Sequence, residues 1–174
     1  MTRFAAAFLP LAILAGCATS HPRPVVATPT PPQSAMFDQV KSLQGEWMAT
    51  DDKGNQYVAA VFSVTAGGSA VREIMLPGTQ HEMTNMYHMD GPTLVMTHYC
   101  AAGNQPRMRA VAGEPGTLDF KFDSVTNLTA QDETYMGSMV MKLEGPNTVV
   151  THWTSYKDGV VSDHTADFRW TRKQ

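Results

Sequence analysis

Cysteine is scarce in this chain of 174 residues: only Cys17 and Cys100 are present, and they form no Cys-x-x-Cys pair of the zinc or redox type. Basic residues are not in excess, since the formal net charge is −3, which argues against a nucleic-acid partner. The sequence also lacks a G-x-S-x-G motif, a phosphate-binding glycine loop and a dinucleotide fingerprint. Its function is therefore not readable from a short catalytic motif, and its stability must come from apolar burial.

The N-terminal residues have the features of a bacterial export signal. Arg3 supplies a positive charge, residues 4–14 form an apolar run too short to span a membrane, and small residues precede Cys17. This order resembles the bacterial lipobox, and the resemblance implies that Cys17 becomes the lipidated first residue of the mature protein. We therefore expect a signal peptide over residues 1–16 and a lipid-anchored protein of the cell envelope that faces the periplasm or the exterior. The alternative is an ordinary secretory signal with an incidental cysteine.

A proline-rich segment separates the signal from the part of the chain that can fold. Residues 17–34 read as an extended tether, because five prolines lie between His21 and Ser34. The remaining residues, 35–174, fit one domain. Ser34 is placed to cap a short helix whose apolar residues recur at helical spacing: Met36, Phe37, Val40 and Leu43.

Beyond the helix, the chain reads as a series of short strands. Gly45-Glu46-Trp47 begins the first strand, and turn sequences such as Asp90-Gly91, Gly103-Asn104 and Gly145-Pro146-Asn147 recur at close intervals. No segment has the length of a crossover helix, so a parallel α/β fold is excluded. The pattern predicts an all-β, antiparallel up-and-down barrel of about ten strands with a short N-terminal capping helix.

Several motifs carry a resemblance to known proteins. The Gly45-x-Trp47 start resembles the calycin superfamily of lipocalins and fatty-acid-binding proteins, in which the Trp packs across the barrel base beneath a basic residue of the last strand. That resemblance implies structural roles for Gly45 and Trp47; Arg169 and Arg172 are the candidates for the basic partner, and we assign the role to Arg169.

Three longer motifs, in residues 67–73, 86–91 and 94–108, resemble a bacterial family of small, often secreted, calycin-like proteins of unknown function. The last of them contains Thr97-His98-Tyr99-Cys100 and Gly103-Asn104-Gln105-Pro106-Arg107-Met108. The resemblance implies the same barrel, but no settled activity.

The polar residues of this stretch allow several kinds of chemistry. Strand alternation places Leu94, Met96, His98 and Cys100 on one face. His98 could line a cavity, ligate a metal or heme iron, or transfer protons, or it could be a buried histidine with a backbone partner. Cys100 could act with His98 as a ligand or thiolate, or it could be a small buried apolar thiol.

Arg107 and Arg109 share a face of the next strand. Pointing inward, they would need an anion, such as a carboxylate or phosphate group of a ligand; pointing outward, they would be solvated. Glu73, between Val71 and Met75 on an apolar strand, is a natural partner for either arginine if they are buried.

Our leading hypothesis is a barrel that binds a small, partly apolar ligand with a polar or anionic head, and that is held at the membrane through Cys17. No cofactor is predicted, although heme remains an alternative. The candidate ligand-binding residues are His98, Arg107, Arg109, Tyr87, Glu73, Met96 and Cys100.

Three other functions stay open. The barrel could bind heme or a metal through His98, or catalyse acid–base chemistry with Glu73, Tyr99, His98 and Arg107. It could also have a filled core and act through protein–protein contacts at a loop. A barrel interior fully filled by side chains, with no cavity in the usual range of ~300–1,000 Å³, would rule out ligand binding.

Overall fold

A computed structural model describes residues 25–111 and 113–174, so the predicted signal and Cys17 lie outside the described residues. Within these residues, one α-helix precedes ten strands, and a short 3₁₀ turn (Ala66–Gly68) joins the second strand to the third. None of the described helices has the length and apolarity needed to cross a membrane. The elements are α1 (Pro31–Ser42), β1 (Gly45–Thr50), β2 (Gln56–Thr65), β3 (Ala70–Met75), β4 (Met83–Asp90), β5 (Thr93–Tyr99), β6 (Gln105–Val111), β7 (Thr117–Thr126), β8 (Tyr135–Leu143), β9 (Thr148–Lys157) and β10 (Val160–Arg172).

The ten strands form one closed antiparallel barrel, as the sequence predicts. Each strand pairs with its neighbours in the chain, and β1 pairs with β10 through Trp47↔Arg172 and Met48↔Thr171. Tight turns make this possible; Gly91, for example, has a φ of 57°, which a glycine adopts without strain. Closure gives every strand two hydrogen-bonded neighbours, although the extent of the pairing differs from one pair of strands to the next.

The two ends of the barrel differ. The capped end carries α1 together with the β2–β3, β4–β5, β6–β7 and β8–β9 turns. The open end carries the other five connections, residues 51–55, 76–82, 100–104, 127–134 and 158–159. The helix begins at Pro31, inside the segment assigned to the tether, so Ser34 lies within the helix and is not its cap. A proline is favourable in the first helical turn because it has no N–H to leave unpaired.

The capped end is held by Trp47. Its indole Nε1 donates a hydrogen bond to the carbonyl oxygen of Leu43 at 2.7 Å, and the Arg172 guanidinium lies 4.4 Å from its ring centroid. Arg172 also donates hydrogen bonds of 2.9 Å to the carbonyl oxygens of Ser42 and Gln44. Arg172 thus joins the end of β10 to the helix–strand junction.

The assignment of this role to Arg169 is wrong. Trp170 is buried in the barrel, so strand alternation turns Arg169 to the outer surface, where it pairs with Glu144 at 2.7 Å. Arg172, two residues beyond Trp170, returns to the inner side. Gly45 is suited to this end as well: its φ is 128°, and a Cβ there would stand 3.5 Å from Arg172 Nη1.

The lower core, next to the capped end, is filled with aromatic and aliphatic side chains. Phe62 makes edge-to-face contacts with both Trp47 and Trp170, at centroid distances of 6.4 and 6.3 Å. Other residues buried in the barrel include Leu94, Met96, Phe120, Met139 and Met141. The interior is therefore a packed core over much of its length, and any ligand space lies towards the open end.

Arg172→Ala should destabilise the protein, because it removes the cation–π contact with Trp47 and two hydrogen bonds to the carbonyl oxygens of Ser42 and Gln44. We expect the free energy of unfolding in urea to fall by about 1–3 kcal/mol. Arg169→Ala is the matched control and should cost less, since an exposed ion pair contributes only about 0–1 kcal/mol. Equal losses in the two variants would contradict the role given to Arg172.

Candidate functional site

Four polar side chains point into the barrel from three adjacent strands. Glu73 on β3 lies opposite Asn85 on β4, and Asn85 lies opposite His98 on β5. Tyr87 is the next inward residue of β4. All four are buried, because alternation along each strand sends them to the core side. The register therefore places Glu73, Asn85 and His98 in one row across the wall, with Tyr87 one inward position further along β4.

Hydrogen bonds join the row into one network. Asn85 Nδ2 and the Tyr87 hydroxyl donate to Glu73 Oε2 at 2.7 and 2.6 Å, and Asn85 Oδ1 lies 2.7 Å from His98 Nδ1. Because the amide nitrogen of Asn85 faces the carboxyl group, its oxygen must accept, so His98 Nδ1 carries the proton. His98 Nε2 then keeps its lone pair free, and it makes no hydrogen bond to any described residue.

Burial controls the charge of these groups. It lowers the pKa of His98 to about 4, so the imidazole is neutral near pH 7. Burial raises the pKa of Glu73 to about 7, and the hydrogen bonds from Asn85 and Tyr87 oppose that rise. Burial, with the Glu73 carboxyl beside it, also raises the pKa of Tyr87 well above its usual value. Glu73 Oε1 is buried without a hydrogen-bond partner in the described structure.

His98 faces a small apolar cavity near the open end. This inner cavity has a volume of about 60 Å³, the space of about two water molecules. An outer cavity of about 220 Å³ adjoins it, and both are lined by Cys100 and Met136. The inner cavity is lined further by Met75, Met83, His98, Trp153, Ala166 and Phe168; the outer cavity by Ala102, Thr134, Tyr135, Ser155 and His164.

Both cavities are smaller than the usual ~300–1,000 Å³ of a ligand-binding cavity. A larger groove, of about 610 Å³, lies outside the barrel at the β1–β10 seam, where Met48, Thr148 and Thr171 line it. We place the candidate site in these two cavities because the buried His98 lines the inner one and the outer one adjoins it.

The outer cavity lies where the wall of the barrel is incomplete. The pairing of β7 with β8 covers only the four positions from Thr117↔Lys142 to Phe120↔Met139. Beyond it, the rings of Phe122, Tyr135 and Tyr156 stack at centroid distances of 5.3–6.0 Å. The incomplete pairing and the aromatic cluster lie beside the outer cavity, which leads towards His98.

Asn104 ties the loops at this end together. The sequence gives it a turn role, yet its side chain is fully buried and donates to Glu133 Oε1 at 2.8 Å and to the carbonyl oxygen of Thr134 at 3.2 Å. Residue 134 lines the outer cavity. Asn104 therefore holds the β5–β6 turn against the β7–β8 loop.

Arg107 and Arg109 do not reach this site. Met108 and Ala110 take the inward positions of β6, so both guanidinium groups lie on the outer surface. Arg109 donates to Asp123 at 2.9 Å and to Asp90 at 3.0 Å, and Arg107 lies 3.5 Å from the same two carboxylates. The expected inward anion site is thus corrected to an outer ion-pair cluster, and Glu73 pairs with Asn85 and Tyr87 instead of an arginine.

The remaining predicted residues lie on the inner side. Glu73, Tyr87 and His98 share the network, Cys100 lines both cavities, and Met96 is buried one inward position below His98. Sequence reasoning missed Asn85, although alternation from Tyr87 along β4 would have placed it inside. It also missed the cavity residues Met75, Met83, Met136 and Trp153.

Comparisons with known proteins add no assignment. Neither a scan against protein-family models nor a search of curated proteins finds a match for this chain. The closed ten-strand barrel is compatible with a calycin-like fold, and membership of the bacterial family stays a prediction. Within residues 25–111 and 113–174, no three His, Cys, Asp or Glu side chains are grouped so that they could hold a metal ion.

Glu73→Gln should change how stability depends on pH. The pKa of Glu73 is about 7 when folded, above its usual 4.5, so the folded state holds this proton more tightly than the unfolded chain. This contribution to stability is full below pH 4.5, is lost as the pH rises to about 7, and then stays constant. The unfolding free energy of Glu73→Gln relative to wild type should therefore rise by on the order of 2 kcal/mol between pH 5 and pH 8.

Urea unfolding of both proteins at several pH values measures this difference. His98 acts with the opposite sign, because its pKa falls to about 4 from 6.5, so its contribution grows as the pH rises through that window. It is present in both proteins and largely cancels. A difference that does not vary with pH would contradict the buried carboxyl group.

Proposed function

We propose that the barrel binds a small, largely apolar molecule at its open end, and that His98 Nε2 accepts a hydrogen bond from a neutral donor group on that molecule. The observation that carries the proposal is that the His98 imidazole lines an apolar cavity, while its only hydrogen bond to a described residue is made by Nδ1. A buried acceptor without a partner is costly, so a ligand that supplies an O–H or N–H gains from pairing with it. Apolar contacts with the cavity walls supply the rest of the affinity.

The cavity volumes limit the ligand to a small molecule. The inner cavity holds only a few non-hydrogen atoms, and a larger body would extend past Cys100 and Met136 into the outer cavity. Met75, Met83 and Met136 line the inner cavity, and methionine side chains adapt to differently shaped partners because they are unbranched and flexible. The site can therefore enlarge modestly without breaking the barrel.

A neutral head group fits better than the anionic one expected from the sequence. The imidazole is uncharged near neutral pH, and Arg107 and Arg109 are occupied by Asp90 and Asp123 on the outer surface. A buried anion would have the Glu73 carboxyl nearby and no cation among the residues that line either cavity. Burial of an unpaired charge costs far more than a neutral hydrogen bond returns.

The alternatives fit the geometry less well. A porphyrin needs far more room beside His98 than 60 Å³. The proposed acid–base set is not assembled, because Tyr99 is exposed and Arg107 is on the outer surface while Glu73 and His98 are inside. Ligand binding needs only the residues that meet at the cavities.

Phenol and toluene are a matched pair of probes for this site, because they have the same size and differ in the hydroxyl donor. We expect phenol to bind the full-length protein about tenfold more tightly than toluene, the value of one hydrogen bond to a buried acceptor. Titration calorimetry measures the affinities, and benzoate should bind more weakly than phenol because it is charged.

His98→Phe is the variant for the same experiment, because a phenyl ring can keep the contact with Trp153, whose ring centroid is 5.0 Å from that of His98. The preference for phenol should disappear in this variant. In wild type, the ¹⁵N resonance of His98 Nε2 should shift on addition of phenol. Equal binding of phenol and toluene to wild type, with no such shift, would refute the proposed contact.

We also propose that the protein is a lipoprotein of the bacterial envelope, anchored through Cys17. The support is the order of Arg3, the apolar run, the small residues and Cys17. A proline-rich segment after Cys17 would hold the barrel away from the membrane surface.

Cys17→Ser should abolish metabolic labelling of the protein with radioactive palmitate in a bacterial host, because the thiol that carries the lipid is lost. The matched control is Cys100→Ser, which should leave labelling unchanged. Labelling that persists in Cys17→Ser would contradict lipidation at this residue.

A further inference from the structure

The inner cavity is surrounded by sulfur-containing residues. Of the eight residues that line it, Met75, Met83 and Met136 carry thioethers, and Cys100 carries a thiol. His98 adds the imidazole nitrogen that has no hydrogen-bond partner among the described residues. The ligand-binding proposal uses the methionines only as adaptable apolar walls, and it gives their sulfur atoms and the Cys100 thiol no role as donors.

We propose that the inner cavity binds a single cuprous ion, Cu(I), with ligands drawn from His98, Cys100, Met75, Met83 and Met136. This goes beyond the ligand binding proposed above and shares with it only the cavity and His98. The cavity volume of about 60 Å³ is enough for one ion surrounded by side chains.

The donor types select for a soft ion. Thioether and thiolate sulfur, together with imidazole, suit Cu(I), whereas Mg²⁺, Ca²⁺ and Mn²⁺ prefer oxygen. The residues that line the cavity include no carboxylate. Such a site contains no cluster of three His, Cys, Asp or Glu side chains, because most of its proposed ligands are methionines.

Charge also favours a monovalent ion. Moving an ion into an apolar cavity costs free energy that rises steeply with its charge, so Cu(I) is easier to bury here than Zn²⁺. When Cu(I) binds, the Cys100 thiol loses its proton to solvent and the sulfur–copper bond replaces the sulfur–hydrogen bond. The copper stays monovalent, so no electron is transferred and the site gains no net charge.

The site is held in place by groups outside it. The side-chain amide of Asn85 contacts two of the proposed ligands: its nitrogen lies 3.4 Å from Met75 Sδ, and its oxygen lies 2.7 Å from His98 Nδ1. Partners of this kind orient metal ligands and fix the tautomer of a histidine. The Trp153 ring also lines the cavity, and its π face can contact a cation.

The test is an anaerobic titration of the Cu(I)–bicinchoninate complex with the full-length protein. We expect the protein to remove one equivalent of Cu(I) from the chelator. Met83→Leu combined with Met136→Leu should lower the affinity at least 100-fold. These changes nearly conserve volume and should leave the fold intact. Met86→Leu is the control, because alternation places Met86 on the outer face of β4, and it should bind like wild type.

Two further measurements separate this inference from the proposed function. An equal concentration of Zn²⁺ should not displace the copper, and the binding of phenol and toluene is measured separately on copper-free wild type. No transfer of Cu(I), equal copper binding by the double variant, or displacement by Zn²⁺ would overturn the copper site. If wild type binds phenol but not Cu(I), only the ligand-binding proposal is supported. If wild type binds Cu(I) but does not prefer phenol, only the copper site is supported.

Discussion

The side-chain amide of Asn85 determines what the interior of this barrel can do. Its nitrogen donates to Glu73 and its oxygen accepts from His98, so it fixes which nitrogen of the imidazole is protonated. With the opposite amide orientation, its nitrogen would face His98 Nδ1, and Nε2 would carry the proton instead. Which nitrogen of His98 is left unprotonated therefore depends on the Glu73 carboxyl group, which is linked to His98 through Asn85. Glu73 has no contact with the cavity, yet it sets the chemistry there.

Such a network is expensive for a small barrel to keep. Replacing a buried polar group by an apolar one of the same shape is often neutral or stabilising when its partners are replaced as well. This chain instead retains Glu73, Asn85, Tyr87 and His98 side by side, with Glu73 Oε1 left unpaired among the described residues. The lower core, around Trp47, Phe62 and Trp170, shows that the same sequence can build an apolar interior. The contrast between the two halves supports a functional role for the polar half.

Much of this architecture was predictable, because alternation with a period of two is a direct consequence of strand geometry. Turn sequences gave ten strands, and Glu73, Met96 and His98 fell on apolar faces that became the interior. The sequence could not indicate which face of β6 points inward. One face carries Met108 and Ala110 and the other carries two arginines, and a strand can form with either face inside the barrel. The structure resolves it through Asp90 and Asp123, which come from β4 and β7 and neutralise the arginines outside. That pairing joins residues from three strands and is invisible to local pattern.

The same reasoning explains why the site was only partly predicted. His98 and Cys100 stand out in the sequence as reactive types, whereas Met75, Met83 and Met136 are indistinguishable there from core residues. What distinguishes these methionines is their place in the barrel. Strands β3, β4 and β8 place them, together with His98 from β5, around one cavity at the end where β7 separates from β8. A methionine at an inward position fills a core when it packs against other side chains and becomes a donor when a cavity lies beside it. The chemistry of this site therefore arises from barrel closure, which brings together residues distant along the chain.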